Sequence, residues 1–218
     1  RNVMKKILLP LLLILAVGLL AAVESEPSEV VGYVKYDCLE GLNLIALPMN
    51  QGFVNASEVG ILLGSDAVSK FDATLQDWVS TYDDGSGSWA EDFPVGNGSV
   101  LMVYIYAPTS FYSIGSLYDA NASYNFFEGL NTAMIPLNQT SLTLGSLVGV
   151  SMGSDAVSRF DATLQDWVST YDDGSGNWAE DFPLSIGSPF MAYSYIPQVW
   201  PAYRKNIIQK DSISKEIK

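Results

Sequence analysis

Residues 64–94 return as residues 153–183, 89 positions later, with 29 of 31 identical. Only Lys70/Arg159 and Ser88/Asn177 differ. The likeness continues more loosely upstream, where residues 40–51 (EGLNLIALPMNQ) match residues 128–139 (EGLNTAMIPLNQ) at 7 of 12 positions. A duplication of this length constrains the fold more than any other feature, because each copy must build the same local structure. A long period seen only twice points to two like units or one pseudo-symmetric body, since a solenoid needs three or more stacked repeats. The units run from 36 to 115 and from 124 to 203, joined by a linker over 116–123.

Each unit reads as mainly β, a small sandwich- or barrel-like body with one short helix. Residues 43–47 and 99–107 are apolar runs rich in β-formers and bounded by Gly, Pro and Asn. Residues 68–72 and 78–82 predict a strand pair joined over Ala73-Thr74-Leu75. Asp83-Asp84-Gly85-Ser86-Gly87 predicts a turn, since Asp caps local backbone and Gly supplies positive φ. After this turn, residues 89–93 lead back toward Ser99. A helix is expected over 56–63, capped by Asn55, with its counterpart over 142–150 after Thr140 or Ser141.

The last strand of each unit alternates. Met102, Tyr104 and Tyr106 recur as Met191, Tyr193 and Tyr195, whereas Leu101, Val103 and Ile105 become Phe190, Ala192 and Ser194. Alternate residues of a strand lie on opposite faces. The simpler expectation is that the kept Met/Tyr face packs on the identical hairpin and the drifted face meets the other unit or solvent. The alternative makes the Met/Tyr face a binding surface.

Charge divides the chain into three parts. Met4-Lys5-Lys6, a 14-residue apolar run over 7–20 and Ala21-Ala22 have the anatomy of a secretory signal peptide over 1–22. The alternative is an uncleaved membrane anchor. Residues 23–35 read as a linker or N-terminal strand. Residues 23–203 hold 3 bases against 22 acids, a net −19, and the tail over 204–218 holds 5 bases against 2 acids, a net +3. An acidic body of this kind argues against nucleic acid, whose backbone requires clustered Lys and Arg. The basic tail predicts salt-sensitive self-association on the acidic body of a neighbour.

Two sets of residues are candidates for function. Asp83, Asp84, Glu91 and Asp92, with Asp172, Asp173, Glu180 and Asp181, surround the duplicated turns. Calcium takes six to eight oxygens and such turns can supply them, although no EF-hand spacing occurs. The plainer reading is a solvated acidic hairpin tip, with no cofactor. Trp78, Tyr82 and Trp89, with Trp167, Tyr171 and Trp178, form the second set. Exposed rings can stack on sugars while neighbouring carboxylates accept hydroxyl hydrogen bonds. Against that, one Trp per unit can plug the core, with Trp78 and Trp167 the expected core residues beside Val79 and Val168.

With no His and one Cys, imidazole chemistry, an internal disulfide and thiolate zinc sites are excluded. No G-x-S-x-G elbow, S-x-x-K motif or phosphate loop occurs, so no enzyme is expected. Paired carboxylates leave a glycoside hydrolase as the weakest alternative. Cys38 is either a buried small apolar residue or a free thiol able to link two chains. Four N-x-S/T sequons lie at Asn55, Asn97, Asn121 and Asn138.

Gly41-Leu42-Asn43-Leu44-Ile45-Ala46-Leu47-Pro48 resembles the "GWNLISLPL" opening of secreted β-domains of bacterial and archaeal surface proteins. Gly96-Asn97-Gly98-Ser99-Val100-Leu101-Met102-Val103 stands where such domains close with a Gly-x-Gly-Tyr-Trp-Val-like strand. Residues 68–78 (VSKFDATLQDW) resemble the hairpin of kelch-like secreted repeats. Leu42 and Leu130 replace the opening Trp, and the closing Tyr-Trp is missing. The resemblance implies a surface-displayed β-module without catalytic residues. Sequence thus leads to an exported structural or adhesive protein, with a polysaccharide or another surface protein as partner, and with a carbohydrate-binding module as the alternative.

Overall fold

The computed structural model describes residues 31–118 and 121–201. The signal-peptide segment over 1–22 and the basic tail over 204–218 lie outside the described residues. Among the described residues no helix is long and apolar enough to cross a membrane.

The fold is mainly β, with two five-stranded antiparallel sheets in tandem units and no closed barrel. In the first unit the elements are β1 (Val31–Cys38), β2 (Gly41–Ala46), α1 (Ala56–Leu63), β3 (Ala67–Asp72), β4 (Asp77–Asp83), β5 (Trp89–Ala90), β6 (Val100–Ile105) and β7 (Thr109–Ser116). The sheet order is β2-β6-β3-β4-β5, so β6 returns between β2 and β3. β1 and β7 pair separately as a two-stranded ribbon. The second unit repeats this with β8 (Tyr124–Phe126), β9 (Gly129–Met134), α2 (Gly145–Met152), β10 (Ala156–Asp161), β11 (Asp166–Asp172), β12 (Trp178–Ala179), β13 (Pro189–Ser194) and β14 (Gln198–Trp200). Its sheet order is β9-β13-β10-β11-β12, and β8 pairs with β14.

In each unit the helix and ribbon cover one face of the sheet. Val59 of α1, Cys38 and Phe111 of the ribbon, and Val68, Leu101, Val103 and Ile105 of the sheet share one core. Burying such aliphatic side chains contributes about 1.5–3 kcal/mol each. Cys38 is buried there, so its thiol belongs to the core and not to the surface.

The hairpins form where Asp and Gly dictate. Asp72 accepts hydrogen bonds from Thr74 N (2.8 Å), Thr74 Oγ1 (2.6 Å) and Leu75 N (3.2 Å), which folds the β3–β4 turn. Asp83 accepts from Gly85 N and Gly87 N, both at 2.9 Å, closing the next turn. Asn43 is buried and orders the β1–β2 turn: it accepts from Leu39 N (2.8 Å) and donates to Leu39 O (2.7 Å) and Gly41 O (3.0 Å). Asn131 does the same with Phe127 and Gly129.

The first helix has the expected bounds, but the second begins three residues later than sequence predicts. Leu144, not Thr140 or Ser141, occupies the N-cap position. A cap supplied from elsewhere sets the start: Gly145 N donates to Phe182 O (3.0 Å) and Ser146 N to Asp181 Oδ1 (3.0 Å). In α1 the same places are Ala56 N on Phe93 O (2.9 Å) and Ser57 N on Asp92 Oδ1 (3.1 Å). The first two amides of each helix are therefore satisfied by the identical block, and in α1 Glu58 adds a local cap by accepting from Asn55 N (3.2 Å).

The two units belong to one compact body and hold each other reciprocally. The amide of Gln165, in the β10–β11 turn, accepts from Leu42 N (2.7 Å) and donates to Leu42 O (3.1 Å). Gln76, in the β3–β4 turn, does the same to Leu130 N (2.7 Å) and Leu130 O (3.0 Å). Each glutamine thus stands in for a missing neighbour on the free edge of β2 or β9, which otherwise invites foreign strands. Close approach demands glycine beside it. A Cβ on Gly41 would lie 2.5 Å from Gln165 Oε1, and one on Gly129 would lie 2.6 Å from Gln76 Cδ. Both glycines also have positive φ, 101° and 110°.

A second reciprocal pair is buried. Tyr36 donates to Gly187 O (2.8 Å) and bonds the backbone of Ala46. Tyr124 donates to Gly98 O (3.0 Å) and accepts from Met134 N (3.1 Å). Around them Ala46 and Val100 of one unit pack with Met134 of the other. Contacts in which each unit gives what it receives are the mark of a two-fold interface.

The faces of β6 and β13 are the reverse of the simpler expectation. The drifted residues form the private cores: Leu101, Val103 and Ile105 are at most 1% exposed, and Phe190, Ala192 and Ser194 at most 2%. The kept face ends in exposed tyrosines. Each private core can drift because loss is balanced nearby: small Ala192 and Ser194 coexist with Phe126 and Trp200, where the first unit has Cys38 and Phe111. Such volume-conserving exchange is tolerated.

Candidate functional site: two exposed tyrosine rows

Register places aromatic residues of the outer face side by side. Leu42 lies opposite Tyr104, and Tyr82 opposite Ala67 and Ala90. Val68 pairs with Val103, so one step along that ladder sets Ala67 beside Tyr104. The row across the sheet is therefore Leu42, Tyr104, Ala67, Tyr82, Ala90. Small Ala67 separates two rings, Tyr104 at 39% and Tyr82 at 52% exposure. In the second unit the row is Leu130, Tyr193, Ala156, Tyr171, Ala179, with Tyr193 half-buried and Tyr171 exposed.

Next to each row a phenol meets a carboxylate. Tyr106 packs edge-on to Tyr104 (5.1 Å between centroids, 68°) and donates to Asp66 Oδ2. Tyr195 packs on Tyr193 (5.0 Å, 64°) and donates to Asp155 Oδ2. The hydrogen bond to aspartate holds each phenol proton and raises its pKa. Oδ1 of Asp66 and of Asp155 takes no hydrogen bond from the described residues. Both aspartates are exposed and remain free acceptors on one side.

The six aromatic candidates divide by role. Tyr82 and Tyr171 stand in the exposed rows. Trp89 and Trp178 pack into the cores against α1 and α2, on Gly60 and Gly149. Trp78 and Trp167 pair across the hairpin with Phe71 and Phe160, edge to face at 5.6 Å, half-buried on the outer face. The tryptophan after the turn is thus the core residue, and the one before it packs across strands. Asp66 and Asp155 escape sequence reasoning because nothing local separates them from other surface acids. Their signal lies in a tyrosine 40 positions further along the chain, at the end of the neighbouring strand.

The eight acidic candidates do not converge. Asp83 and Asp172 each bind two glycine amides of their own turn. Asp84 accepts from Ser86 N (2.9 Å), and Asp173 from Ser175 N (2.8 Å) and Ser175 Oγ (2.5 Å). Asp92 and Asp181 cap the helices. Glu91 and Glu180 sit at positive φ, 53° and 51°. Among the described residues no group of three or more acids, His or Cys is placed to hold a metal ion. The turn acids serve the backbone instead.

A pH prediction follows. Hydrogen bonds from the serine side chains, then from their amides, lower the pKa of Asp84 and Asp173. A lowered folded pKa gives stabilisation that is full above the ordinary Asp value of about 3.9 and is lost as pH falls through the folded value. Amide exchange at Ser86 and Ser175 is expected to accelerate below about pH 3.9. Asp84→Ala and Asp173→Ala make it fast at every pH. Unchanged protection in these variants would refute the assignment.

Comparison with protein-family models, with curated proteins and with solved structures finds no match to this chain.

Proposed function

We propose that the protein is an exported, non-catalytic attachment module that binds polysaccharide through its two tyrosine rows. One observation carries this reading: the face kept between the units presents Tyr104 and Tyr82 to solvent, and Tyr171 and Tyr195 in the second copy. Aromatic rings left exposed on the outer face of a sheet, beside a carboxylate with a free oxygen, match what a sugar ring offers. Its apolar face stacks and its hydroxyls donate. The chain's lack of His and of nucleophile motifs favours binding over catalysis. Export rests on the signal-peptide anatomy of residues 1–22, and the surface location on the resemblance to secreted β-domains.

Two like sites on one compact body give avidity on a repetitive polymer. Tyr82→Ala or Tyr171→Ala alone leaves one row and is expected to weaken apparent affinity by about 100-fold on an insoluble polysaccharide. The double variant abolishes binding. The measurement is a depletion isotherm on the solid, with near-ultraviolet circular dichroism confirming the fold. Retention of binding by the well-folded double variant would remove the rows from the reading.

A further inference from the structure

The rows carry information about which polysaccharide they fit. Neighbouring strands lie about 4.8 Å apart. Tyr104 and Tyr82 are two strands apart, so their side chains leave the sheet about 10 Å from each other. That spacing is close to the repeat of an extended β-linked disaccharide, laid across the strands with Ala67 beneath its middle.

The surrounding charge is one-sided. Residues 31–201 contain three cations, and all are engaged away from the rows. Lys35 pairs with Asp37 at 2.6 Å, Lys70 lies 4.6 Å over the Phe93 ring, and Arg159 lies 5.2 Å over the Phe182 ring. Beside the rows stand Asp66 and Asp155, and Asp83 and Asp172 follow Tyr82 and Tyr171. A uniformly negative field repels uronic or sulfated chains and concentrates cations. A tyrosine face is also a receptor for an ammonium group, and desolvation strengthens that contact.

We infer that each row takes an extended β-linked polymer of amino sugars with free amines, the rings stacked on Tyr104 and Tyr82 and an ammonium received by Asp66. Tyr193, Tyr171 and Asp155 repeat the arrangement. This inference rests on the polysaccharide reading above and adds the sugar's charge and linkage.

The test is isothermal calorimetry of the whole protein with four oligosaccharides of equal length: chitosan, chitin, cellulose and alginate fragments. Chitosan is expected to bind at least tenfold tighter than the two neutral fragments, and alginate not at all. The advantage disappears in Asp66→Asn/Asp155→Asn and at about 1 M salt, where the screening length is ~3 Å. Neutral fragments lose less affinity in that variant than chitosan does, because the Asn carbonyl oxygen still accepts from a sugar hydroxyl while the charge that attracts an ammonium is gone. Chitosan binding no tighter than cellulose or chitin overturns the inference while leaving the polysaccharide reading intact. The inference is also overturned by a chitosan advantage that survives Asp66→Asn/Asp155→Asn, or by chitosan binding that survives Tyr82→Ala/Tyr171→Ala or that an oligolysine of matched charge equals, because each marks diffuse attraction to an acidic surface. Binding of alginate overturns it as well. Failure of all four to bind overturns both.

Discussion

Replacing Gly149 by alanine destabilises the protein by about 2 kcal/mol, although helix propensity alone favours alanine by about 1 kcal/mol. Gly149 lies in α2 with the Trp178 ring against its backbone. A Cβ there would sit 2.7 Å from Trp178 Cζ2 and closer still to Cη2. The tryptophan cannot withdraw, since it is packed into the core with Val148, Val157 and Phe182. Overpacking of this kind costs about 1–3 kcal/mol and sometimes more, so it outweighs the propensity gain. Gly60→Ala meets Trp89 in the same way, with Cζ2 at 2.9 Å. Thermal unfolding is expected to drop by about 4–8 °C for either variant. Trp178→Phe in the Gly149→Ala background shortens the ring and recovers part of the loss, a coupling that a double-mutant cycle reads directly. A Gly149→Ala protein more stable than its parent would show that the helix does not rest on the indole.

This contact also marks where sequence reasoning stops. The β3–β4 and β4–β5 turns were legible because Asp72 and Asp83 act on amides two to four residues away. Helix α1 was legible from Asn55 and its apolar spacing. Helix α2 was not, because its start is set by Asp181 and Phe182, some 35 residues downstream. Alternation in β6 revealed two faces but not which one is inside. That depends on the helix and ribbon, which dock from elsewhere in the chain. Choosing between Trp78 and Trp89 failed for a related reason: a glycine in the helix makes room for one ring, and no local signal reports it. The glutamine clasps were the least accessible, since each joins residues 54 or 123 positions apart through side-chain to backbone bonds. Of the candidate site, Tyr82 and Tyr171 were read from sequence. Their partners Asp66 and Asp155 emerge only once the strands are in register.

Alkali should open the body at the seam between the two units. Burial raises the pKa of Tyr36 and Tyr124 far above the ordinary tyrosine value, because neither phenolate could be solvated where they lie. The sign follows from proton linkage. A phenol with a raised folded pKa stabilises fully below its unfolded value, about 10, and loses that contribution as pH rises toward the folded value. Each tyrosine then removes about 1.36 kcal/mol per pH unit, so the pair removes about 4 kcal/mol between pH 10 and 11.5. Whole-domain stabilities are about 5–15 kcal/mol, and a loss of that size brings unfolding within reach. The unfolding free energy, measured by urea titration from pH 7 to 11.5, is expected to be flat at first and to fall steeply above pH 10. In Tyr36→Phe/Tyr124→Phe this dependence on alkali weakens. That variant is weaker at neutral pH by about 1–3 kcal/mol for each hydroxyl, because Gly187 O and Gly98 O lose their buried donors. Its alkaline limb is shallower, since the two groups that lose stability on ionising are gone. Tyr106, Tyr118 and Tyr195 also have raised values, but they remain in both proteins and cancel in the difference. The two stability curves must therefore converge above pH 10. Parallel curves over that range would mean that the phenols are not buried at the seam, and would undo the reciprocal interface on which the paired rows depend.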